Sequence, residues 1–373
     1  MTSFAPCALT SVGALLLSTA VLSACQHESA PHNDELAFTR TAECPSPGEL
    51  SGGDHSLKFT NTTGQPMSLY VVSGQDVYAV WDRIGAPSTR DIDLHLPNGT
   101  YQLVCAVTST TTVHSADFTV RDSEVTDAPH SKIVTEADLL KVLGRHQELV
   151  GKQVDSWRAA HNALVQSLQG GDRTAAQQAW TKAYLEWRKL DDVSRSSDDS
   201  SAVADLGTAS APGPDIEGYH RIEWILWHGE PLDTAIEPAQ KIADLDTKEL
   251  RLTSPEVGLR THEVTEEFER NDLRGLADFG SHTTAATALA SNQATHRMLD
   301  VTHDVLKDRY DQLDEAIATV NHIDDVARTM QTKYADKPLE QWSPQDKAEL
   351  DHAYAHANEL LANAATNMTV RRI

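Results

Sequence analysis

His220 and Glu223 stand three residues apart in PDIEGYHRIEWILWHGEP, residues 214–231. An imidazole and a carboxylate are donor types that suit zinc or iron. On a helix, His220, Glu223, Trp224 and Trp227 fall at i, i+3, i+4 and i+7 and share a face. Ile222, Ile225 and Leu226 lie largely toward another side. The two donors can therefore address one ion, but two donors do not fill a coordination shell. A His–Glu hydrogen bond on a packed bundle face is the plainer use of the same spacing.

Further donors must come from other helices, as in carboxylate sites built inside bundles. The best source is LRTHEVTEEFERNDLRG, residues 259–275, where His262 and Glu266 lie on one face and Glu263 and Glu267 on the next. Glu263 is the first choice. Glu186 in AYLEWRKLDD, and Asp278 with His282 in LADFGSHTTAA, are further candidates. His296, Asp300 and His303 also share a face, in THRMLDVTHD, and read as a surface stripe. HExxH is absent, and HRIEW lacks the closing His of the inverted zinc-protease motif. GxSxG, Walker and Rossmann glycine patterns are absent as well, which counts against standard hydrolases and nucleotide-binding enzymes.

The elements that must position these residues fall into two regions of opposite periodicity. From residue 133 onward, Ala is abundant and β-alternation is missing. Helices are expected over 135–169, 172–193, 215–229, 234–251, 255–270, 281–322 with an interruption, 322–334 and 344–367. The GGD break at 170–172 and Ser343-Pro344 at a helix start support them. The polar stretch 193–213 interrupts the bundle, and a connection this long is either disordered or functional. Residues 44–120 instead offer short β-rich runs, HSLKFTN, MSLYVVS, VYAVWD, RDIDLHL, YQLVCAV and SADFTV, separated by turn signals. Their spacing predicts a small antiparallel β-sandwich, with the polar stretch RDSEVTDAPHSK as a linker.

The N-terminus carries an apolar stretch, ALTSVGALLLSTAVLSAC, too short for a comfortable membrane span and read as an export signal despite an n-region without Lys or Arg. LSAC at 22–25 resembles the lipobox of bacterial lipoproteins, which makes Cys25 the lipidated residue and the following stretch a tether. Ordinary soluble secretion is the alternative. Two cysteines then remain, Cys44 and Cys105. In an exported domain they suggest one disulfide; free thiols acting as metal ligands are the alternative. The expected organisation is signal 1–24, tether 25–40, β domain 41–122, linker 123–134 and helical bundle 135–373. With 55 acidic against 31 basic residues, the formal net charge is −24. Such a chain repels nucleic acid and raises the local concentration of cations.

EGYHRIEWILWHGE resembles the HxxE helix of imelysin-like proteins, and most closely that of EfeO-type components of bacterial iron uptake. AYLEWRKL, GLRTHEVTEEFERNDLRG and DFGSHTT resemble other landmarks of that helical domain. The β region resembles the cupredoxin-like domain of the longer EfeO proteins, with ECPSP and YQLVC around its paired cysteines. The resemblance implies a non-enzymatic, lipid-anchored iron-binding protein at the outer face of the cytoplasmic membrane or in the periplasm. It implies Fe2+ or Fe3+ as the ion, with zinc or copper as alternatives. Its expected partners are a membrane permease and a haem-containing peroxidase-like protein, and its ligands His220, Glu223, Glu263 and Glu186. The chain departs from that pattern in three places. MSLYVVS lacks a carboxylate, leaving Asp76 and Asp82 as substitutes for a second metal site; Arg188 and Lys189 follow Glu186; TTAATAL follows His282 without an acid. Two other functions remain open: a metal-dependent peptidase with Glu223 as base and His220 as ligand, and a surface module binding a protein or polysaccharide.

Overall fold

A computed structural model describes residues 34–39, 43–108, 111–194, 216–335 and 337–370. The export signal, Cys25 and most of the 193–213 connection lie outside the described residues. No described helix is long and apolar enough to cross a membrane.

The N-terminal region is a two-sheet structure built from β1 (Glu35–Phe38), β2 (Glu49–Ser51), β3 (Asp54–Asn61), β4 (Met67–Ser73), β5 (Asp76–Ile84), β6 (Ser88–His95), β7 (Gly99–Thr108), β8 (Thr111–His114), β9 (Phe118–Arg121) and β10 (Ser131–Lys132). One sheet runs β1-β3-β6; the other runs β10-β5-β4-β7-β9-β2, with β8 beside β7. Alternation sends Leu57 and Phe59 of β3, Leu69 and Val71 of β4, and Leu103 and Cys105 of β7 into one buried core. Cys44 and Cys105 form a disulfide in that core. It closes a 61-residue separation, worth about 4 kcal/mol on the chain-entropy account.

Three expectations about this region need correction. Residues 35–38 are not tether: Leu36 and Phe38 are buried, and β1 pairs in parallel with β3, Leu36 opposite Phe59. Nor is the sandwich wholly antiparallel, because β2 also pairs in parallel with β9. Neither pair is joined by a hairpin, so no tight turn forces the strands to oppose. The expected linker 123–134 is tied down as well. Ser131 of β10 pairs with Val77, and Arg309 donates to the carbonyls of Lys132 and Ile133.

Among the described residues, eight α-helices make up the rest: α1 (Glu136–Gly170), α2 (Arg173–Arg188), α3 (Gly218–His228), α4 (Ile236–Ala243), α5 (Ser254–Asn271), α6 (Thr284–Leu306), α7 (Leu313–Tyr334) and α8 (Pro344–Asn367). Thr135 and Asp138 form a capping box at the start of α1. Gly171, in the left-handed region, ends α1, and the Asp172 carboxylate caps α2. Ser343 and Pro344 open α8. The expected 234–251 helix is shorter, because α4 is flanked by single 3-10 turns at Leu232–Ala235 and Thr247–Glu249. α7 runs through 322 without the boundary expected there, and the interruption expected within 281–322 lies at 307–312. There Arg309 turns back to the Val305 carbonyl while gripping residues 132 and 133, so the chain leaves the helix to hold the other domain.

Candidate metal site on the third helix

The third helix is clamped before it presents anything. Trp157 Nε1 donates to the Tyr219 hydroxyl at 2.8 Å, and that hydroxyl lies 2.8 Å from His161 Nδ1. His161 Nε2 lies 2.7 Å from the Ala239 carbonyl. A carbonyl can only accept, so Nε2 carries the proton and Nδ1 accepts from Tyr219. Burial lowers the His161 pKa, with the bond to Ala239 opposing it. Burial also pushes the Tyr219 phenol far up. Trp180 Nε1 donates to the Tyr219 carbonyl, and Arg173 donates to the carbonyls of Ile225 and Leu226 near the other end. Gly229, left-handed, ends the helix.

His220 and Glu223 follow from that clamp, and both are 0% exposed. His220 Nδ1 lies 3.3 Å from Glu223 Oε2. The other oxygen, Oε1, accepts the backbone N–H groups of Phe279 and Ser281, each at 3.0 Å. The rings of Tyr184 and Phe279 pack on the imidazole, with centroids 5.6 and 5.2 Å away. The two amides are aimed by Asp278, whose carboxylate accepts the His282 N–H at 2.8 Å and the Thr284 hydroxyl at 3.0 Å. Gly280 lets this loop close: a Cβ there would come within 2.6 Å of the Trp227 Cβ. His282 has φ +57 and leaves Nδ1 buried without a hydrogen-bond partner among the described residues. Trp227 packs on Trp180 and Trp224 stacks on His228, so both indoles pack rather than bind.

The structure does not bring the other expected ligands to this pair. Glu186 is engaged by Lys189 and Gln153, both at 2.7 Å. It stands two residues, about 200° of helix, beyond Tyr184, the residue that touches His220. Glu263 pairs with Arg260 at 2.8 Å, as Glu267 does more loosely at 3.4 Å. Arg260 in turn donates to the backbone carbonyls of Asp191 and Asp192. The expected His296 stripe is spent on ion pairs, His296 with Asp324 and Asp300 with Arg145. Neither Asp76 nor Asp82 gathers other donors: among the described residues, no group of three or more His, Cys, Asp or Glu is placed to hold a metal.

The Arg188–Asp191–Asp192 region, a separate buried polar cluster, went unread in the sequence. Arg188 donates to Asp191 at 2.9 Å, to Asp272 at 2.6 Å and to the Tyr184 hydroxyl at 3.0 Å. Asp192 accepts from His146 at 2.8 Å and from Arg297 at 2.5 and 2.8 Å. Burial raises the Asp192 pKa, but Arg297 and His146 outweigh it and hold the carboxyl at about 2. Ser291 donates to Asp191 as well. Every buried Asp here has an Arg; Glu223 has none among the described residues.

Residues 142–251 match the imelysin family, Peptidase_M75. No curated protein matches the chain. The imelysin match takes in His220, Glu223, Tyr219 and Glu186, and stops before Glu263 and the 278–284 loop. That part of the helical domain is accordingly similar to the imelysin family, and it holds the His–Glu pair on the third helix. The amides of Phe279 and Ser281 escaped the sequence reading because a backbone N–H has no residue-type signature. The Asp-x-Gly-Ser turn signal of 278–281 was the available hint.

Proposed function

We propose that the protein is an exported, lipid-anchored component of an EfeO-type iron uptake system. It carries iron as cargo and passes it to a membrane permease, with a haem-containing peroxidase-like partner oxidising ferrous iron. The observation that carries this reading is the Glu223 carboxylate. It is fully buried, beside an imidazole, held by two amides and paired with no Arg or Lys among the described residues. A buried carboxylate in that setting favours a cation from outside. Carboxylate oxygen and imidazole nitrogen suit iron in either oxidation state, and zinc or copper too. Two protein donors form a thin shell, which suits a carrier that must release its ion. The net charge of −24 concentrates cations near the surface. The protein is not an enzyme in this reading.

The family's peptidase designation favours a second reading, with Glu223 as general base. Against it, a catalytic metal site needs three protein ligands and an open position, and among the described residues no third His, Cys, Asp or Glu joins the pair.

The test is titration of the mature chain with Fe2+ under anaerobic conditions and Fe3+ in air, with Zn2+ and Cu2+ as further arms. Glu223→Gln keeps an acceptor for the two amides, so its fold and melting should be unchanged. Its iron affinity should fall at least about tenfold. Equal iron binding by wild type, Glu223→Gln and His220→Ala sinks the site assignment. Absence of iron binding by the wild type sinks the function, and metal-dependent cleavage of a peptide library supports the peptidase instead.

A further inference from the structure

A groove of about 800 Å³ lies between the two domains, walled by β4, β5 and β7 on one side and by α5 and the end of α8 on the other. Its volume falls within the roughly 300–1,000 Å³ of small-molecule sites. Pro66 and Val107 line it from the sheet side, and Leu259 and Val370 from the helix side. Leu259 is 46% exposed, one of two large hydrophobic residues so exposed among the described residues.

Arg83 supplies the charge. The pairing of β4 with β5 slips between Leu69 opposite Trp81 and Met67 opposite Ile84, leaving an extra residue on β5. In that bulge Arg83 has φ +54, a conformation that favours glycine. Bulges re-aim side chains beside functional sites, and this one places Arg83 on the groove wall. Arg83 is exposed and makes no hydrogen bond or ion pair with another described residue. The other titratable groups lining it are engaged. Ser254 donates to Glu136, and His262 donates from Nδ1 to the Leu259 carbonyl while its Nε2 faces Glu266.

We infer that this groove binds an amphipathic monocarboxylate, its head on the Arg83 guanidinium and its apolar body along Val107, Leu259 and Val370. A guanidinium receives a carboxylate through two parallel hydrogen bonds. Glu136 and Glu266 beside the groove oppose a second negative charge on the ligand. The inference is independent of the iron reading, because none of these residues touches His220 or Glu223.

Decanoate below its micellar concentration is the probe, titrated calorimetrically into the mature chain. Decyltrimethylammonium serves as the charge control and decan-1-ol as the neutral one. Arg83→Gly removes the cation and relieves the left-handed backbone, so the variant should melt at or above the wild-type temperature. Its decanoate affinity should fall at least tenfold, and Arg83→Lys should recover part of the loss. Decanol should bind weakly to wild type and to Arg83→Gly alike, and the ammonium should not bind. Iron titration of Arg83→Gly should match wild type. No decanoate binding by wild type, equal binding by Arg83→Gly, or equal binding of the ammonium would each overturn the site.

Discussion

Two buried polar clusters lie a few side chains apart in the helical domain, and they are built on opposite principles. The Arg188–Asp191–Asp192 cluster is charge-matched: Arg188, Arg260 and Arg297 face Asp191, Asp192 and Asp272, and nearly every hydrogen bond is charge-assisted. The His220–Glu223 pair is held by neutral groups, two backbone amides and two aromatic rings. Tyr184 joins them, its hydroxyl on Arg188 and its ring on His220. A closed set of charges fixes geometry and has no use for a further ion. A carboxylate held by amides alone has no cation beside it among the described residues. The contrast assigns the first cluster to positioning and the second to binding.

The largest expected effect breaks the first cluster. Arg188→Ala leaves Asp191 and Asp272 buried without their cation, which should cost about 3–5 kcal/mol of stability in denaturant unfolding. Glu223→Gln should cost far less and act on iron affinity instead. If both variants lost stability equally, the division between positioning and binding would fail.

Acid provides the next test. The Asp192 carboxyl is held at about 2 in the folded chain, against about 3.9 when unfolded. A depressed carboxylate contributes stability that is fully present above the unfolded value and lost as pH falls through the folded one. Unfolding followed by circular dichroism should therefore show this loss between roughly pH 4 and 2. Asp192→Asn should flatten that limb while lowering stability at neutral pH. An unchanged acid limb in Asp192→Asn would remove the cluster from the account of acid stability.

The smallest effects belong to the acids that the pair does not recruit. Glu186→Gln and Glu263→Gln each remove a partly exposed ion pair, so each should cost less than about 1 kcal/mol. Neither should change iron affinity in the titration. A tenfold loss in either would return that residue to the ligand set and redraw the site.

The sequence reading was strongest where a residue type carries its own geometry. The three-residue spacing of His220 and Glu223, the cap at Ser343-Pro344 and the cysteine pair could all be read locally, and the disulfide and the α8 start stand as expected. Helix-face reasoning failed for Glu263 because a face says nothing of what occupies it. Arg260, one turn earlier, is the residue that takes its carboxylate. Likewise Glu186 was legible as an acid beside a Tyr, but not as the counterion of Lys189. The parallel strand β1 was missed because four residues, ELAF, give too short an alternation to count.

One consequence concerns the matched segment 142–251 as a physical object. His146, Arg188 and His220 lie within it, but most groups that complete its two clusters come from downstream: Arg260, Asp272, the amides of Phe279 and Ser281, Ser291 and Arg297. Cut out alone, the segment would keep Glu223, Asp191 and Asp192 but lose most of what satisfies them. A truncation planned from the bounds of the match would part these acids from their downstream partners.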